Sequence, residues 1–560
     1  MRNCGSFDFI VVGAGSAGCV LANRLSACGK YRVLLLEAGG RDSNPWIHIP
    51  LGYGKLFKDA KVNWMYETEP QVHLHNRRIS QPRGRVLGGS SSINGLVYIR
   101  GQKEDFDAWR DEGNTGWGWD DVLPYFRKAE DQVRGEDDYH GVGGPLAVSD
   151  QSEPHELCEA FVAAAEQCDI PRNNDFNGVR QEGAGYYQTT SRKGVRCSSA
   201  TAYLKPAGGR PNLVTITGAL VTRVRFEGTV ATGVEWQVDD APCYATANRE
   251  VILSGGAINT PQLLQLSGIG PASLLAKHGI AMVQDLPGVG EGLQDHLQVR
   301  IVSRCSKPIT LNDDMMSLWR QAKIGLRYAL FRKGALTVSA GYAGAFFRTA
   351  PELERPDIQV HFITFSTTKM GDKLHSYSGF TASVCQLRPE SRGHVRIKSA
   401  DPFTPPSIDP NYLAEEADRI ANVEGLKALR RILQAPALQP LIDSEMEPGL
   451  DCASDDDLLE YCRQNGASIY HPTCTARMGN DRLAVVDERL RVHGVTGLRI
   501  ADGSIMPSLI SGNSNAAIIM IGEKASDMVL EDATRMDRRA VETKIGSTKA
   551  AQDTVVADIR

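Results

Sequence analysis

The chain has 560 residues, 42% hydrophobic and 23% charged, which is ordinary for a globular protein with room for two or three cores. Its formal net charge of -5 gives no electrostatic ground for a nucleic-acid partner. There is no run of about 18 apolar residues and no C-x-x-C pair among the 12 cysteines, so neither a transmembrane segment nor a zinc or disulfide framework is expected.

Phe7–Val12 is a short apolar run rich in β-branched and aromatic residues, which predicts a buried strand. It starts so close to Met1 that a secretory leader has no room, and a cytoplasmic location follows as the expectation, with peripheral membrane association left open. Gly13-Ala14-Gly15-Ser16-Ala17-Gly18 comes next, then a helical stretch from Cys19 to Leu25, a second apolar strand from Tyr31 to Leu36, and Glu37. Strand, Gly-x-Gly-x-x-Gly, helix, strand and acid in this order predict a dinucleotide site. Gly13 permits the tight turn, Gly15 admits a pyrophosphate to the backbone, and Gly18 lets the helix lie close to the strand. The helix N-terminus offers free N–H groups to the phosphates, and Glu37 is spaced to accept from a ribose hydroxyl. The motif alone does not choose between FAD and NAD.

Asp42 to Ser80 reads as a long, lid-like excursion over the nucleotide domain. His73 and His75 within it lack a third ligand, so no metal site is expected. Gly84 to Asn94 carries Gly88-Gly89-Ser90-Ser91-Ser92, a loop suited to close backbone approach to a flat or anionic group. Helices are predicted within Trp109–Ala129 and over Pro154–Cys168, and strands between Asn212 and Glu235. Glu250–Ser254 is a further strand that runs into Gly255-Gly256-Ala257 and a helix through Leu266, so the nucleotide domain is expected to be discontinuous. Asp357–Phe365 and Ala382–Arg388 alternate with period two. The turn Ser391-Arg392-Gly393 then predicts an antiparallel hairpin into His394–Lys398, one face solvated and one covered, forming a platform below a substrate cavity. Asn422–Ala435 is an amphipathic helix, and Gly512-Asn513-Ser514-Asn515 opens an apolar helix to Val529. Residues 535–560 are polar and charged and are expected to form a flexible tail.

The assembled motifs resemble the glucose–methanol–choline (GMC) family of FAD-dependent oxidoreductases. The resemblance rests on Gly13 to Glu37, Gly84 to Asn94, Gly256 through Gly270, Leu286 to His296, Tyr470-His471-Pro472, and Asp502-Gly503-Ser504 through Asn515. Within the family it is nearest to bacterial alcohol, L-sorbose and choline dehydrogenase-like members. It implies an α/β chain (α+β overall), with a Rossmann-like FAD-binding domain from residues 1–45, 81–110, 205–300 and 485–534. Residues 46–80, 111–204 and 301–484 would form a substrate domain built on an antiparallel sheet flanked by helices. The cofactor contacts implied are Gly13, Gly15, Ser16, Ala17, Gly18, Glu37 and Ala38 from the first motif. The second motif adds Arg85, Gly88, Gly89, Ser92, Asn94, Gly95 and Val97; Val224, Asp502, Gly503 and Asn515 complete the set. Ile93 stands where choline oxidase carries a His bonded covalently to the flavin, so non-covalent FAD is expected.

The activity implied is oxidation of a primary or secondary alcohol to the aldehyde or ketone, by hydride transfer to flavin N5. Electrons would pass to a quinone or other carrier. His471 matches the family's base and Asn513 the second catalytic position, with helix capping as the alternative role for Asn513. His296 is expected only to pack near the cofactor. An oxygen-using oxidase, a lyase or decarboxylase of the same family, and a non-catalytic flavin protein remain open alternatives.

Overall fold

The structure is a computed structural model that describes residues 1–557 except Asp240 and Met370, with side chains described through residue 538. It has two layered halves, each organised on a seven-stranded sheet. In the first, strand β1 (Arg2–Val12) leads through helix α1 (Ser16–Ser26) to β2 (Val33–Glu37). Strands β3 (Leu213–Thr217), β4 (Leu220–Glu227), β5 (Val230–Val238) and β6 (Ala241–Leu253) and helix α2 (Gly256–Leu266) come much later in the chain. The order is β3-β2-β1-β6-β5-β4, parallel from β3 to β6 and antiparallel beyond, with Leu498–Ile500 added in parallel to β6. The inner strands are apolar and buried where they reach the core, at Phe9–Val12, Val33–Leu36 and Val251–Leu253, whereas β1 and β6 begin with polar or exposed residues.

The second half is wholly antiparallel. β7 (Leu297–Cys305), β8 (Ala343–Phe347), β9 (Ile358–Ile363), β10 (Gly379–Gln386) and β11 (Ile442–Glu447) are ordered β11-β7-β10-β9-β8, with Gly183–Tyr186 on the far edge. The connection from β7 to β8 carries helix α3 (Leu318–Phe331). One face of the sheet (Val299, Ile301, Val360, Phe362, Val384) packs on helix α4 (Glu416–Gln434) and on the helix Glu156–Glu166, where Phe161 stacks on Phe362 with centroids 4.6 Å apart. The opposite face carries Gln298, Arg300, Gln359, His361, Thr381 and Ser383, brought together by the register.

The expected period-two alternation is therefore present, but its polar face borders an enclosed cavity and is not solvated: every residue of β9 and β10 is buried. The expected hairpin into His394–Lys398 does not form. After β10 the chain turns away, and Gly393–Arg396 pairs instead with Glu291–Leu293 and Ser407–Asp409 in a separate three-stranded sheet. Local alternation signals strands and leaves their partners undetermined. The expected flexible tail is also replaced over most of its length. Helix α5 runs Asn515–Ala557, and Asp537 ties it to Lys30 and Arg249, each at 2.5 Å. Residues 558–560 lie outside the described residues.

The Gly84–Asn94 loop lies across the start of α1. Gly89 has φ +52°, and a Cβ there would meet the Gly15 Cα at 2.7 Å, so only glycine allows the two backbones this approach. Gly88 donates its N–H to the Ala14 carbonyl at 2.8 Å, closing the same junction. Gly89→Ala is expected to destabilise the protein by about 2 kcal/mol and to leave it depleted of flavin. Thermal unfolding and the flavin-to-protein absorbance ratio are the checks, and unchanged values would mean the loop can shift without consequence.

Candidate active site

A groove of about 1200 Å³, including its open mouth, runs along the carboxyl ends of β1, β2 and β6. Gly13, Gly15, Ser16, Ala17, Glu37, Ala38, Gly89, Asp502 and Gly503 line it. Gly13 has φ +97°, and a Cβ on it would meet the Ser254 carbonyl oxygen at 2.5 Å. Gly15 caps α1 without a side-chain hydrogen bond, so the first-turn N–H groups are left to an anionic ligand. A Cβ on Gly18 would meet the Gly13 carbonyl oxygen at 1.9 Å, so this glycine sets the helix–strand contact and stands behind the groove. α2 differs: its opening N–H, on Gly256, donates to the buried Asp502 carboxylate at 2.9 Å, which also accepts from Thr260 Oγ1 at 2.7 Å.

Glu37 stands on the groove wall, 5% exposed, with one carboxylate oxygen accepting from Ala14 N–H at 2.9 Å and the other from Gly39 N–H at 2.8 Å. Burial raises its pKa to about 7 against the pull of these donors and of the Arg85 charge. Arg85 itself lies over the Trp64 ring, 4.8 Å from the centroid. Ser92 is turned inward, donating to the Leu87 carbonyl at 2.7 Å. Val224 is buried elsewhere, its N–H donating to Ser267 Oγ at 2.9 Å; along β4 the groove meets Ala219, Leu220 and Val221, three residues earlier. The strand was legible, but its register against the groove was not.

A second cavity, about 1060 Å³ including its mouth, adjoins the groove at Ser16, Arg83, Ser90 and Ile518. Asn94, Gly95, Val97, Asn515, His471 and Asn513 border it, with the polar face of the antiparallel sheet and with Phe57 from the Asp42–Ser80 excursion. Asn515 Oδ1 accepts from Ser16 Oγ at 2.7 Å, tying α5 to α1 where the two spaces meet.

His471 sits on a turn held from both ends. Ala467–Ser468 pairs with the start of β7, and the buried Asp295 accepts the His471 backbone N–H at 2.7 Å. Asp295 also accepts from Ser468 Oγ at 2.5 Å, Gln81 Nε2 at 2.9 Å and the Tyr412 hydroxyl. The imidazole touches two groups: its Nδ1 is 3.0 Å from His296 Nδ1 and its Nε2 is 3.2 Å from Asn513 Nδ2.

The surrounding network settles the protons. His296 Nε2 lies 2.8 Å from the Leu387 carbonyl, which can only accept, so this nitrogen bears the hydrogen and neutral His296 has a lone pair on Nδ1. Neutral His471 then carries its hydrogen on Nδ1, leaving the Nε2 lone pair toward the cavity. From the other side, the Tyr187 hydroxyl donates to the Val360 carbonyl at 2.7 Å and accepts from Gln359 Nε2 at 3.2 Å. Gln359 Nε2 also donates to Asn513 Oδ1 at 3.1 Å, which turns the Asn513 amide N–H toward His471 Nε2. Asn513 is thus part of the polar cluster and does not cap α5. Burial holds the His471 pKa well below 6.5, reinforced by His296, His361 and the Arg83 charge, and burial takes His361 to about 4. His296, Gln359 and His361 were not expected as site residues. Their signals were the Asp295-His296 step before β7 and the alternation of β9, which puts Gln359 and His361 on one face.

Family models described as GMC oxidoreductase match residues 7–298 and 389–522. The chain belongs to the GMC oxidoreductase family. It is an oxidoreductase, and FAD is its cofactor. The groove fits that cofactor: backbone without side chains where a pyrophosphate would lie, a helix N-terminus behind it, and a carboxylate on the wall. The GMC chain is 44% identical to an alcohol dehydrogenase [acceptor] of Pseudomonas putida, over 97% of its own length and 98% of the relative's. It is 42% identical to an oxygen-dependent choline dehydrogenase of Photobacterium profundum, covering 94% of this chain and 93% of that one. The crystal structure of a pyridoxine 4-oxidase from Mesorbium loti superposes with a TM-score of 0.84 at 32% identity, over 93% and 98% of the two chains.

Glu37→Ala removes the acceptor of two backbone N–H groups and one of the two carboxylates that line the groove. Its expected effect is a flavin Kd raised about tenfold or more, read as flavin lost on gel filtration. Full occupancy in the variant would mean the cofactor is held elsewhere.

Proposed function

We propose that this GMC enzyme oxidises an uncharged primary or secondary alcohol to the aldehyde or ketone, with His471 as base and Asn513 as the donor that orients the substrate oxygen. The observation that carries this reading is the His471 Nε2 lone pair and the Asn513 N–H meeting 3.2 Å apart beside the cavity that opens onto the cofactor groove. A hydroxyl inserted between them gives its proton to His471 Nε2 while its oxygen accepts from Asn513 Nδ2, which stabilises alkoxide character as the carbinol C–H bond breaks. FAD, when bound in the adjoining groove, would supply the two-electron acceptor for the hydride that leaves the carbinol carbon. Ile93 on the cavity wall offers no nucleophile, in keeping with non-covalent FAD. A diffusible carrier, quinone or other, fits the similarity to an acceptor-dependent alcohol dehydrogenase.

The charge of the cavity supports a neutral substrate. Among the described lining residues there is no carboxylate, whereas Arg83 and Arg300 both border the space. Arg83 Nη2 is spent on the Tyr470 carbonyl at 2.5 Å, and Arg300 makes no ion pair among the described residues. A quaternary ammonium substrate would meet these cations without compensation. Phe57, Ile93, Leu96, Val97 and Ile363 give an alkyl or aryl chain an apolar wall.

His471→Ala is expected to lower kcat by about 10²-fold or more with flavin retained. Turnover near that of the native enzyme would remove His471 from the mechanism. Because its pKa is lowered, His471 stays neutral as pH falls through 6.5 and loses base function only below that, so the acid limb of kcat/KM is expected below pH 6.5. Choline is expected to give a kcat/KM at least about tenfold below that of an aliphatic alcohol of similar size; the reverse order in a side-by-side assay would overturn the charge argument.

A further inference from the structure

Helix α3 is almost uncovered: of its 14 residues only Tyr328 is buried. Leu318 is 82% exposed, Trp319 79%, Leu326 61% and Leu330 64%, and Met316 just before the helix is 66% exposed. At about 100° per residue, Leu318, Trp319, Ala322, Leu326 and Leu330 fall on one face about 120° wide, with Lys323, Arg327 and Arg320 along its border. An apolar stripe of this size facing water marks an interaction surface.

Its charge decides what covers it. From Met315 to Gly334 the chain carries five Lys or Arg residues, Arg320, Lys323, Arg327, Arg332 and Lys333, and no acid, in a protein of net charge -5. Arg327 pairs with Glu153 and Arg320 stands 3.7 Å from Asp314, whereas Lys323, Arg332 and Lys333 form no ion pair among the described residues. A second copy placed face to face would bring like charges together. An anionic bilayer complements the charge and accepts the apolar stripe at once, and a Trp among leucines suits the headgroup boundary.

We propose that α3 is an interfacial docking helix that seats the enzyme on an anionic bilayer. Leu318, Trp319, Leu326 and Leu330 enter the headgroup–acyl boundary, and Lys323, Arg332 and Lys333 engage anionic headgroups. The chain leaves α3 through Gly334 and reaches Ala340 on the wall of the substrate cavity, at most about 20 Å away along six residues. Docking thus brings the cavity close to the membrane. The docking stands without any substrate assignment; only its use, access to lipid-dissolved acceptors or alcohols, rests on the function proposed above.

The test is co-sedimentation of the FAD-loaded full chain with vesicles of equimolar phosphatidylglycerol and phosphatidylcholine, and with phosphatidylcholine alone. Binding is expected to the anionic vesicles and to weaken with added salt. The double variant Trp319→Glu, Leu326→Glu is expected to cut the partition coefficient about tenfold or more, with turnover on a water-soluble dye acceptor unchanged. Lys323→Gln with Lys333→Gln, two solvent-facing changes, is expected to reduce binding and its salt dependence without altering the fold. Failure of the native chain to bind anionic vesicles, or equal binding by all three proteins, would overturn the proposal. A native dimer that the Trp319→Glu, Leu326→Glu variant converts to monomer would also overturn it, in favour of self-association.

Discussion

The chemistry hangs on one buried carboxylate. Asp295 sits just before β7 and accepts from four residues that are far apart from it in the chain: Gln81, Tyr412, Ser468 and the backbone of His471. A buried carboxylate is tolerated only where such donors surround it. Here those donors are also the groups that must be held still. His471 is thereby fixed through its main chain, and its imidazole is free to be set by other partners.

Those partners act from two directions and agree. The Leu387 carbonyl fixes His296, which fixes the Nδ1 hydrogen of His471; the Val360 carbonyl fixes Tyr187, then Gln359, then the Asn513 amide. Both chains start at backbone carbonyls, whose role cannot change, so the lone pair facing the cavity is specified by the fold. The same crowding explains why the His471 imidazole is neutral. Two imidazoles 3.0 Å apart cannot both be cations, and burial with His361 and Arg83 nearby disfavours even one.

How much of this was legible in the sequence depended on whether the signal was local. The first strand–glycine–helix unit, the discontinuous nucleotide half and the antiparallel half were readable because glycine spacing and hydrophobic period are written within a few residues. His471 and Asn513 came from family likeness, since a His in a turn carries no physical sign of its role. Pairing was not readable: the segment around His394 has strand periodicity but joins Glu291–Leu293, about a hundred residues away in sequence. The β4 contact with the groove was misplaced from Val221 to Val224 for the same reason, because a strand's phase against a ligand is set by its neighbours. The C-terminal segment was judged by its few large apolar residues, while Asp537 and its two basic partners, hundreds of residues apart in sequence, hold the near end of the helix in place.

The division of labour follows the topology. The two segments matched by the family models, 7–298 and 389–522, contain the groove, Asp295, His296, His471 and Asn513. Between them lie most of β7, all of β8, β9 and β10, and α3, which supply Gln359, His361, Arg300 and the exposed apolar helix. The sheet is constrained by its lower face, where Phe362, Val384 and their neighbours pack on α4 and would resist exchange at a cost of several kcal/mol in a close-packed core. Its upper face and the β7–β8 connection bear no such constraint: the former borders a cavity and the latter borders water. Apart from Gln359 and His361, which touch the His471–Asn513 cluster, residues there can change without disturbing that cluster. Substrate charge preference and membrane contact are therefore expected to vary together along this middle stretch, while the imidazole pair and the carboxylate beneath it stay as they are.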